Sequence, residues 1–366
     1  MTVCIPTEPI GSVPRPPELI AAAEAHERGE LPRDQLDALY DAATEDTLRR
    51  FEATGSPVVT DGEQRKYHNF ATYCVHGAPN LAPDGFILHF LDHYRQWPRL
   101  TGGPFRYQQR AENYLAQVLP RTCCAVKQAV ISPSALSLLY PSEDLPGYPR
   151  DRFIADLLDQ HEAEIRACLA LGASTVQVDF TEGRLAYKLD PSGALLASFV
   201  VMNNLALERF SAADRLRIGV HTCPGGDRDS THSADVDYAE LLPSLFDLLA
   251  TNFYIALARE PDHRRVLALV RDHLKPGQRV FVGVIDPLDP HIETPQEVCA
   301  RVLVAAEFIP LAQLGTTDDC GFAPFSDDTS TSRDTAFAKV TARVQGTRLA
   351  EQVLAARELG RALVKL

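Results

Sequence analysis

Short apolar runs rich in β-branched residues alternate along this chain with longer amphipathic stretches. Each short run ends in polar or glycine-containing sequence, and apolar residues then recur at intervals of three and four positions. Because parallel strands need a crossover connection, usually a helix, this alternation predicts repeated βα units. The predicted strands are Ile5–Ile10, Pro57–Thr60, Ala125–Ile131, Thr175–Asp179, Arg217–His221, Asn252–Ala256, Arg279–Ile285 and Gln313–Thr316.

Amphipathic stretches between the strands and at the C-terminus predict an outer ring of helices. Eight strands followed by such helices predict an α/β fold, a single (β/α)₈ TIM barrel that spans residues 1–366 as one domain. The clearest of the predicted helices are Leu36–Phe51, Arg152–Leu171, Tyr238–Leu249, Pro295–Ala306 and Ser332–Leu366.

The segment from Tyr67 to Tyr107 interrupts this alternation after the second strand. It is long and rich in aromatic residues, glycine and proline. Long irregular insertions in barrel enzymes often carry substrate lids. We therefore expect this insertion to lie over one mouth of the barrel.

Composition excludes several classes of partner. Apolar residues make up 45% of the 366 residues, which is enough for a large core, and the net charge of −13 argues against binding to a nucleic-acid backbone. No apolar run approaches the roughly 18 residues that suggest a membrane span, and the N-terminus lacks a secretory signal pattern. We expect a cytoplasmic protein with reduced cysteines and no membrane partner, and homo-oligomerisation stays open.

A metal site is predicted where two predicted strand ends bring nitrogen and sulfur side chains together. His221 and Cys223 are two positions apart at the end of the fifth strand, so both side chains point to one face. Cys320 follows the eighth strand, and the C-terminal ends of all barrel strands meet at the same mouth. These three residues are the candidate metal ligands.

The ligand types favour zinc over magnesium or calcium, because thiolate sulfur and imidazole nitrogen prefer softer metals. Three protein ligands leave one coordination position open, which is typical of a catalytic Zn²⁺. The sequence therefore predicts a Zn²⁺ cofactor that activates a small-molecule thiol.

The chain resembles the catalytic barrel of the cobalamin-independent methionine synthases and, more closely, the epoxyalkane:coenzyme M transferases. The resemblance covers nearly the whole chain and implies that His221, Cys223 and Cys320 ligate zinc. The segments that carry it are Glu8–Pro16, Thr60–Arg65, His221–Gly225, Gly283–Asp286 and Asp319–Phe322.

The same resemblance implies residues for binding the thiol substrate. Glu63 and Asp179 match the positions that hold the amino group of homocysteine in the synthases. Ile10 and Ser12 match positions that contact its carboxylate, and Arg184 matches a family arginine.

The chain departs from the synthase pattern at two positions. Leu257 stands where the synthases have a glutamate zinc ligand, and Glu260 is the nearest carboxylate. Leu288 stands where they have a histidine that helps to protonate the folate leaving group, and His291 in the following loop is the nearest substitute. The sequence identifies no proton donor.

The main functional hypothesis is addition of the coenzyme M thiolate to an electrophilic alkyl donor, an epoxyalkane, to give a 2-hydroxyalkyl-coenzyme M. Its sulfonate needs a cation, for which Arg65, Lys66 and Arg184 are candidates. The alternative is methyl transfer from methyltetrahydrofolate or a methyl corrinoid to homocysteine, whose ammonium group suits Glu63 and Asp179. A third hypothesis is a non-catalytic zinc-binding barrel.

Overall fold

The computed structural model describes residues 3–66 and 69–364, and seven of its strands form one parallel sheet. The order in this sheet is β1-β6-β7-β8-β11-β12-β13, so each strand pairs with the next strand of the barrel along the chain. The strands are β1 (Val58–Val59), β2 (Leu81–Ala82), β3 (Ile87–His89), β4 (Tyr94–Gln96), β5 (Arg99–Leu100), β6 (Ala125–Ile131), β7 (Thr175–Asp179), β8 (Ile218–Thr222), β9 (Gly226–Asp227), β10 (Ser230–Thr231), β11 (Asn252–Ile255), β12 (Arg279–Ile285) and β13 (Leu314–Asp318).

The N-terminal segment, residues 5–13, connects the two edges of this sheet. Thr7 forms a parallel bridge with Thr316 of β13, and the Glu8 N–H donates to the Thr316 carbonyl oxygen at 3.0 Å. Near the other edge, the Val13 N–H donates to the Gly62 carbonyl oxygen at 3.1 Å, three residues beyond β1. The segment, which contains the predicted first strand, therefore closes the seven-stranded sheet into a barrel, and the predicted TIM-barrel fold is confirmed.

Proline explains why the first predicted strand, Ile5–Ile10, forms only a single bridge. Pro6 and Pro9 have no N–H to donate, so a regular ladder cannot extend through them. Three other predicted strands, which are β6, β7 and β12, have the bounds that the sequence predicts.

Helices surround the sheet, and one predicted helix is wrong. The stretch Tyr238–Leu249 forms a 3₁₀ turn at Tyr238–Glu240 and a single helical turn, because Pro243 interrupts the backbone hydrogen bonding. The helices are α1 (Pro17–Glu27), α2 (Arg33–Thr54), α3 (Ala111–Val118), α4 (Pro133–Leu136), α5 (Arg150–Leu171), α6 (Gly183–Leu189), α7 (Ala194–Leu207), α8 (Ala212–Arg215), α9 (Leu242–Leu245), α10 (His263–His273), α11 (Pro295–Ala305) and α12 (Arg333–Val364).

The last helix, α12, matches the predicted C-terminal helix from its capping residue onwards. The Ser332 hydroxyl accepts the Thr335 N–H at 3.0 Å, and the predicted end at Leu366 lies outside the described residues. In residues 3–66 and 69–364, no helix is both long and apolar enough to cross a bilayer.

Aromatic rings fill the barrel interior beside glycines. The rings of Tyr254 and Phe281 stack with their centroids 4.6 Å apart. A Cβ atom at Gly219 would come within 2.5 Å of Tyr254, and one at Gly315 within 2.4 Å of Phe281. Glycine is therefore required at both positions to admit the rings.

Lys127 lies in the same interior with a fully buried ammonium group. Its Nζ is 3.9 Å from the centroid of the Tyr254 ring and 3.6 Å from Glu8 Oε2, without a hydrogen-bond partner in the described chain. Burial lowers the pKa of Lys127 to about 8, although the Glu8 carboxylate acts in the opposite direction.

We expect Lys127 to make stability rise with pH. Between pH 8 and 10.5 the unfolded chain keeps a proton on this amine that the folded chain has lost. The free energy of unfolding should therefore gain up to about 1.4 kcal/mol per pH unit in this window, and Lys127→Met should remove that gain. Urea unfolding at two pH values inside the window measures it, with the exposed Lys275→Met as the control; equal slopes for wild type and Lys127→Met would contradict it.

Candidate metal centre

The three candidate ligands meet at the C-terminal mouth of the barrel. His221 lies near the end of β8, in register with Asp179 on β7 and with Tyr254 on β11. Cys223 follows β8 directly, and the Gly225 N–H donates to its Sγ at 3.3 Å. Both side chains are buried on the inner side of the mouth.

Cys320 is held at the same mouth by the residue before it. The Asp319 carboxylate accepts the N–H groups of Leu257 and Ala258, each at 2.8 Å, and that of Arg259 at 2.9 Å. These bonds fix the turn after β13 against the turn after β11. The position of Cys320 therefore depends on two loops that are distant in sequence.

The ligand atoms of His221, Cys223 and Cys320 all lie within 4.8 Å of one another. The two Sγ atoms are 3.1 Å apart, shorter than the roughly 3.8 Å of a tetrahedral zinc site with Zn–S bonds of about 2.3 Å, so metal binding would require them to separate slightly. Hydrogen bonding from Cys223 lowers the pKa of Cys320 well below that of an ordinary thiol. The pair is thus prepared to present at least one thiolate.

His221 supplies the test of whether a metal fits. The imidazole is only 1% exposed, and neither ring nitrogen has a hydrogen-bond partner among the described residues. Two unsatisfied polar atoms in a buried ring are costly unless one nitrogen donates its lone pair to a metal. The donor set and its geometry therefore fit zinc, and the assignment of these ligands stays a prediction.

Glu260 and Arg184 form an ion pair with each other outside this cluster. The Arg184 guanidinium is buried, bonds to the Glu260 carboxylate and lies 3.8 Å from the centroid of the Tyr238 ring. In the described chain, Glu260 does not belong to the group of side chains that could hold a metal.

The predicted substrate residues, except Arg184, line one pocket with the metal ligands. The pocket has an empty volume of about 700 Å³, including its opening to solvent. Ile10, Ser12, Glu63 and Asp179 all line it. The structure therefore brings together four residues that lie at separate positions in the sequence.

Glu63 and Asp179 are both buried and both carry further contacts. The Lys66 ammonium donates to Glu63 Oε1 at 3.0 Å, and Gln177 donates to Asp179 Oδ1 at 2.8 Å. Burial raises the pKa of Asp179 to about 6, although His221 and Lys66 favour its ionised form. Two carboxyl groups thus face the pocket with one neighbouring ammonium group.

Ser12 and Ile10 connect these acids to the metal cluster. The Ser12 carbonyl oxygen accepts the Phe322 N–H at 2.9 Å, and a Cβ atom at Gly321 would lie 2.0 Å from Ser12 Oγ. Glycine next to Cys320 therefore allows the segment from Ile10 to Ser12 to pack against the metal loop.

The insertion, whose described residues 69–107 are called the lid below, lines the pocket at the predicted mouth, and its function as a lid stays a prediction. Its strands make two antiparallel pairs, β2 with β5 and β3 with β4. Phe86, Leu88, Phe90 and Trp97 from these hairpins line the pocket. The aromatic content of this segment is evident from the sequence, but which of its residues line the pocket is not.

Ion pairs fasten the lid to the loop after Cys223. The Arg95 guanidinium donates to both oxygens of the buried Asp227 carboxylate, at 2.6 and 3.0 Å, and also pairs with Asp327 at 2.9 Å. His93 Nε2 lies 2.8 Å from Asp227 Oδ2. The Arg95–Asp227 contact could not be predicted from the sequence, because the two residues are more than a hundred positions apart.

Glu182 is a further pocket residue, to which the sequence pattern assigns no role beyond a place at a strand end. Its Oε1 accepts the hydroxyl groups of Ser132, at 2.5 Å, and Ser134. Its Oε2 is buried without a partner among the described residues, and burial raises the pKa of Glu182 to about 7.

Comparison with known proteins identifies a matching family and related proteins. Residues 5–341 match the family described as cobalamin-independent synthase, catalytic domain. The chain is 23% identical to a methionine synthase of Sulfurisphaera tokodaii, over 96% of this chain and 94% of that protein. It is also 23% identical to a 5-methyltetrahydropteroyltriglutamate–homocysteine methyltransferase of Ralstonia pickettii, over 87% of this chain and 39% of that longer protein.

A solved structure shares the fold. A B12-independent methionine synthase from Shewanella sp. W3-18-1, determined in complex with selenomethionine, superposes with a TM-score of 0.76 at 20% identity. The match covers 97% of this chain and 100% of that one.

We expect Cys320→Ser to lower zinc affinity by at least about 100-fold, because even loss of residues outside the ligand set costs 10–100-fold. Elemental analysis after dialysis against a weak chelator measures the bound metal, and circular dichroism checks the fold. Cys124→Ser is the matched control, since Cys124 is partly buried like Cys320. Unchanged metal content in Cys320→Ser would refute the ligand assignment.

Proposed function

The chain belongs to the cobalamin-independent synthase catalytic-domain family, and on that premise we propose that it transfers a methyl group to the thiol of homocysteine with the help of zinc. His221, Cys223 and Cys320 would hold the metal. When bound, zinc supplies the Lewis acidity that keeps the incoming thiol deprotonated at neutral pH.

The charge of the pocket is the observation that carries this proposal. Glu63 and Asp179 line it beside the metal cluster, and no lysine or arginine belongs to its lining within the described chain. A buried pair of carboxyl groups is a suitable partner for the ammonium group of an amino-acid thiol. Since Lys66 already pairs with Glu63, we assign Asp179 the larger share of this contact.

The segment from Ile10 to Ser12 is placed to take the other end of the amino acid. A Cβ atom at Gly11 would lie 3.4 Å from Glu63 Oε1, and Ser12 packs against Gly321 next to Cys320. Ile10 and Ser12 line the pocket together with the metal ligands, Glu63 and Asp179, and they match synthase positions that contact the homocysteine carboxylate. We therefore assign Ile10 and Ser12 to this carboxylate.

The coenzyme M hypothesis lacks comparable support. A sulfonate needs a cation, yet Arg65 bonds to Asp37 and Asp41, at 3.2 and 2.7 Å. Lys66 pairs with Glu63, and Arg184 pairs with Glu260. All three candidate cations thus have carboxylate partners, and the relatives compared above are methionine synthases and a homocysteine methyltransferase.

A purely structural zinc site is also disfavoured. Such a site normally completes its tetrahedron with a fourth cysteine or histidine. Here the group that could hold a metal has three members within the described residues, and all three line the pocket. This arrangement favours a metal that binds an external ligand.

We expect Asp179→Asn to weaken homocysteine binding by about 10–100-fold, because a hydrogen bond to a charged group contributes about 1.5–3 kcal/mol. Isothermal titration calorimetry of the zinc-loaded protein measures the dissociation constant, and the zinc content of the variant is checked first. Binding of 4-mercaptobutanoate, which is homocysteine without its amino group, should be unaffected.

Glu112→Gln is the control for this experiment, since Glu112 is partly buried on α3 and does not line the pocket. Coenzyme M serves as the competing thiol. Tighter binding of coenzyme M than of homocysteine by the wild-type protein would overturn the proposed function.

A further inference from the structure

Glu182 lies in the turn after β7, three residues beyond Asp179, and lines the same pocket as the candidate metal ligands. The turn after β6 holds it there. Ser132 donates its N–H to the Asp179 carbonyl oxygen at 3.1 Å and its hydroxyl group to Glu182 Oε1 at 2.5 Å. Ser134 donates a second hydroxyl group to the same oxygen. Two neighbouring strand ends therefore fix this carboxyl group at the barrel mouth.

The two carboxyl oxygens of Glu182 have different surroundings. Oε1 accepts both serine hydroxyls, whereas Oε2 is buried and has no partner within the described residues. In a protonated carboxyl group, one oxygen carries the proton and the other remains an acceptor. The serines therefore leave Oε2 as the oxygen that carries the proton, and a pocket ligand can supply the acceptor that this oxygen lacks.

Burial favours the protonated form of Glu182. It raises the pKa of this carboxyl group to about 7, although both serine hydroxyls favour the carboxylate. About half of the groups therefore hold a proton at pH 7. A general acid is most effective when its pKa is close to the working pH.

The other titratable side chains of the pocket are less suited to donate a proton. Apart from the candidate metal ligands and Glu182, those in the described part of the lining are Glu63, Asp179 and His232. Glu63 already accepts the Lys66 ammonium at 3.0 Å. Burial lowers the pKa of His232 to about 3, so its imidazole is neutral at pH 7. Asp179 is the group that we assign to the homocysteine ammonium.

The loop after β12 offers no proton donor to the pocket. Leu288, which stands where the synthases have a histidine for this task, does lie beside the metal cluster. A Cβ atom at Gly226 would be 3.6 Å from Leu288 Cδ2 and 4.0 Å from Cys320 Sγ. His291, the nearest histidine in sequence, is exposed, lies 3.2 Å from the Glu297 carboxylate and does not line the pocket.

We infer that Glu182 is the general acid of the proposed reaction and donates a proton to the amine nitrogen of an N-methyl donor such as methyltetrahydrofolate. This inference rests on the proposed function, because the leaving group must form next to the thiol held at the metal. The acid thus comes from the turn after β7, whereas the synthase histidine comes from the loop after β12.

The step balances with this one acid. The thiol has lost its own proton before the attack. Its sulfur then forms a bond to the methyl carbon while the carbon–nitrogen bond breaks, and the electron pair of that bond stays on nitrogen. Without a proton this nitrogen would leave as an amide anion, which is a very poor leaving group. The proton from Glu182 makes it a neutral amine, and the resulting carboxylate regains a proton from solvent before the next turnover.

Glu182→Gln removes the acid but keeps an acceptor for the serine hydroxyls. With the zinc-loaded protein, homocysteine and methyltetrahydrofolate, we expect kcat to fall by about 100-fold or more, the lower end of what a general acid contributes. The KM values of both substrates should stay unchanged. Methyl iodide serves as a second methyl source, because its leaving iodide needs no proton. Its rate of reaction with protein-bound homocysteine should be the same in the variant and the wild type.

The pH profile gives a readout that a merely structural role would not change. In the wild type, kcat with methyltetrahydrofolate should fall as pH rises above about 7, because the acid form of Glu182 is lost. In Glu182→Gln this decline should be absent. The titratable and charged groups that face Glu182 across the pocket are Asp179 after β7, Glu63 with Lys66 after β1, His221 and Cys223 at the end of β8, His232 after β10 and Cys320 after β13.

Glu164→Gln is the matched control. Like Glu182, Glu164 is buried with its pKa raised to about 7, accepts two hydrogen bonds at Oε1 and has an unpartnered Oε2 in the described chain. It does not line the pocket, so its kcat and pH profile should match those of the wild type. Zinc content and circular dichroism are checked in both variants. An unchanged kcat in Glu182→Gln, or an equal loss of rate with methyl iodide, would overturn the inference.

The wild-type protein separates this inference from the proposed function. It is incubated with homocysteine and either methyltetrahydrofolate or methylcobalamin, whose cobalt leaves without needing a proton, and mass spectrometry detects methionine. Methionine from methylcobalamin alone overturns the inference and leaves the proposed function standing. No methionine in either arm overturns both, whereas methionine from methyltetrahydrofolate that depends on Glu182 supports both.

Discussion

The convergence of one imidazole and two thiols at the barrel mouth is the constraint on which the rest of the site depends. His221 and Cys223 come from the end of β8, and Cys320 comes from the end of β13. They meet only because the parallel sheet curls and residues 5–13 connect its two edges. The barrel therefore contributes to the site through closure, which brings side chains from strand ends distant in sequence within 4.8 Å of one another.

The sequence predicted the elements whose signals are local. β6, β7 and β12 are continuous buried runs, and their bounds follow directly from hydrophobic pattern. The errors also have local causes, since prolines reduce the first strand to a bridge and Pro243 divides a helix. The convergence of His221, Cys223 and Cys320 could be predicted because the ends of barrel strands share one mouth.

Contacts between distant segments could not be predicted in this way. Glu182 becomes notable only when Ser132 and Ser134 fold against it, and Asp227 only when Arg95 reaches it from the insertion. The charge balance of the pocket also depends on contacts between distant segments, because the sequence does not show which carboxylates pair with each lysine or arginine. Such pairings are properties of tertiary structure.

The attachment of the lid has a mechanical consequence. Asp227, which receives Arg95, is four residues beyond Cys223 on the same short loop. A displacement of Cys223 is therefore transmitted along this loop to Asp227 and Arg95, and a displacement of the β3–β4 hairpin is transmitted back to Cys223. The positions of the hairpin and of the Cys223 side chain are thus mechanically coupled through this loop.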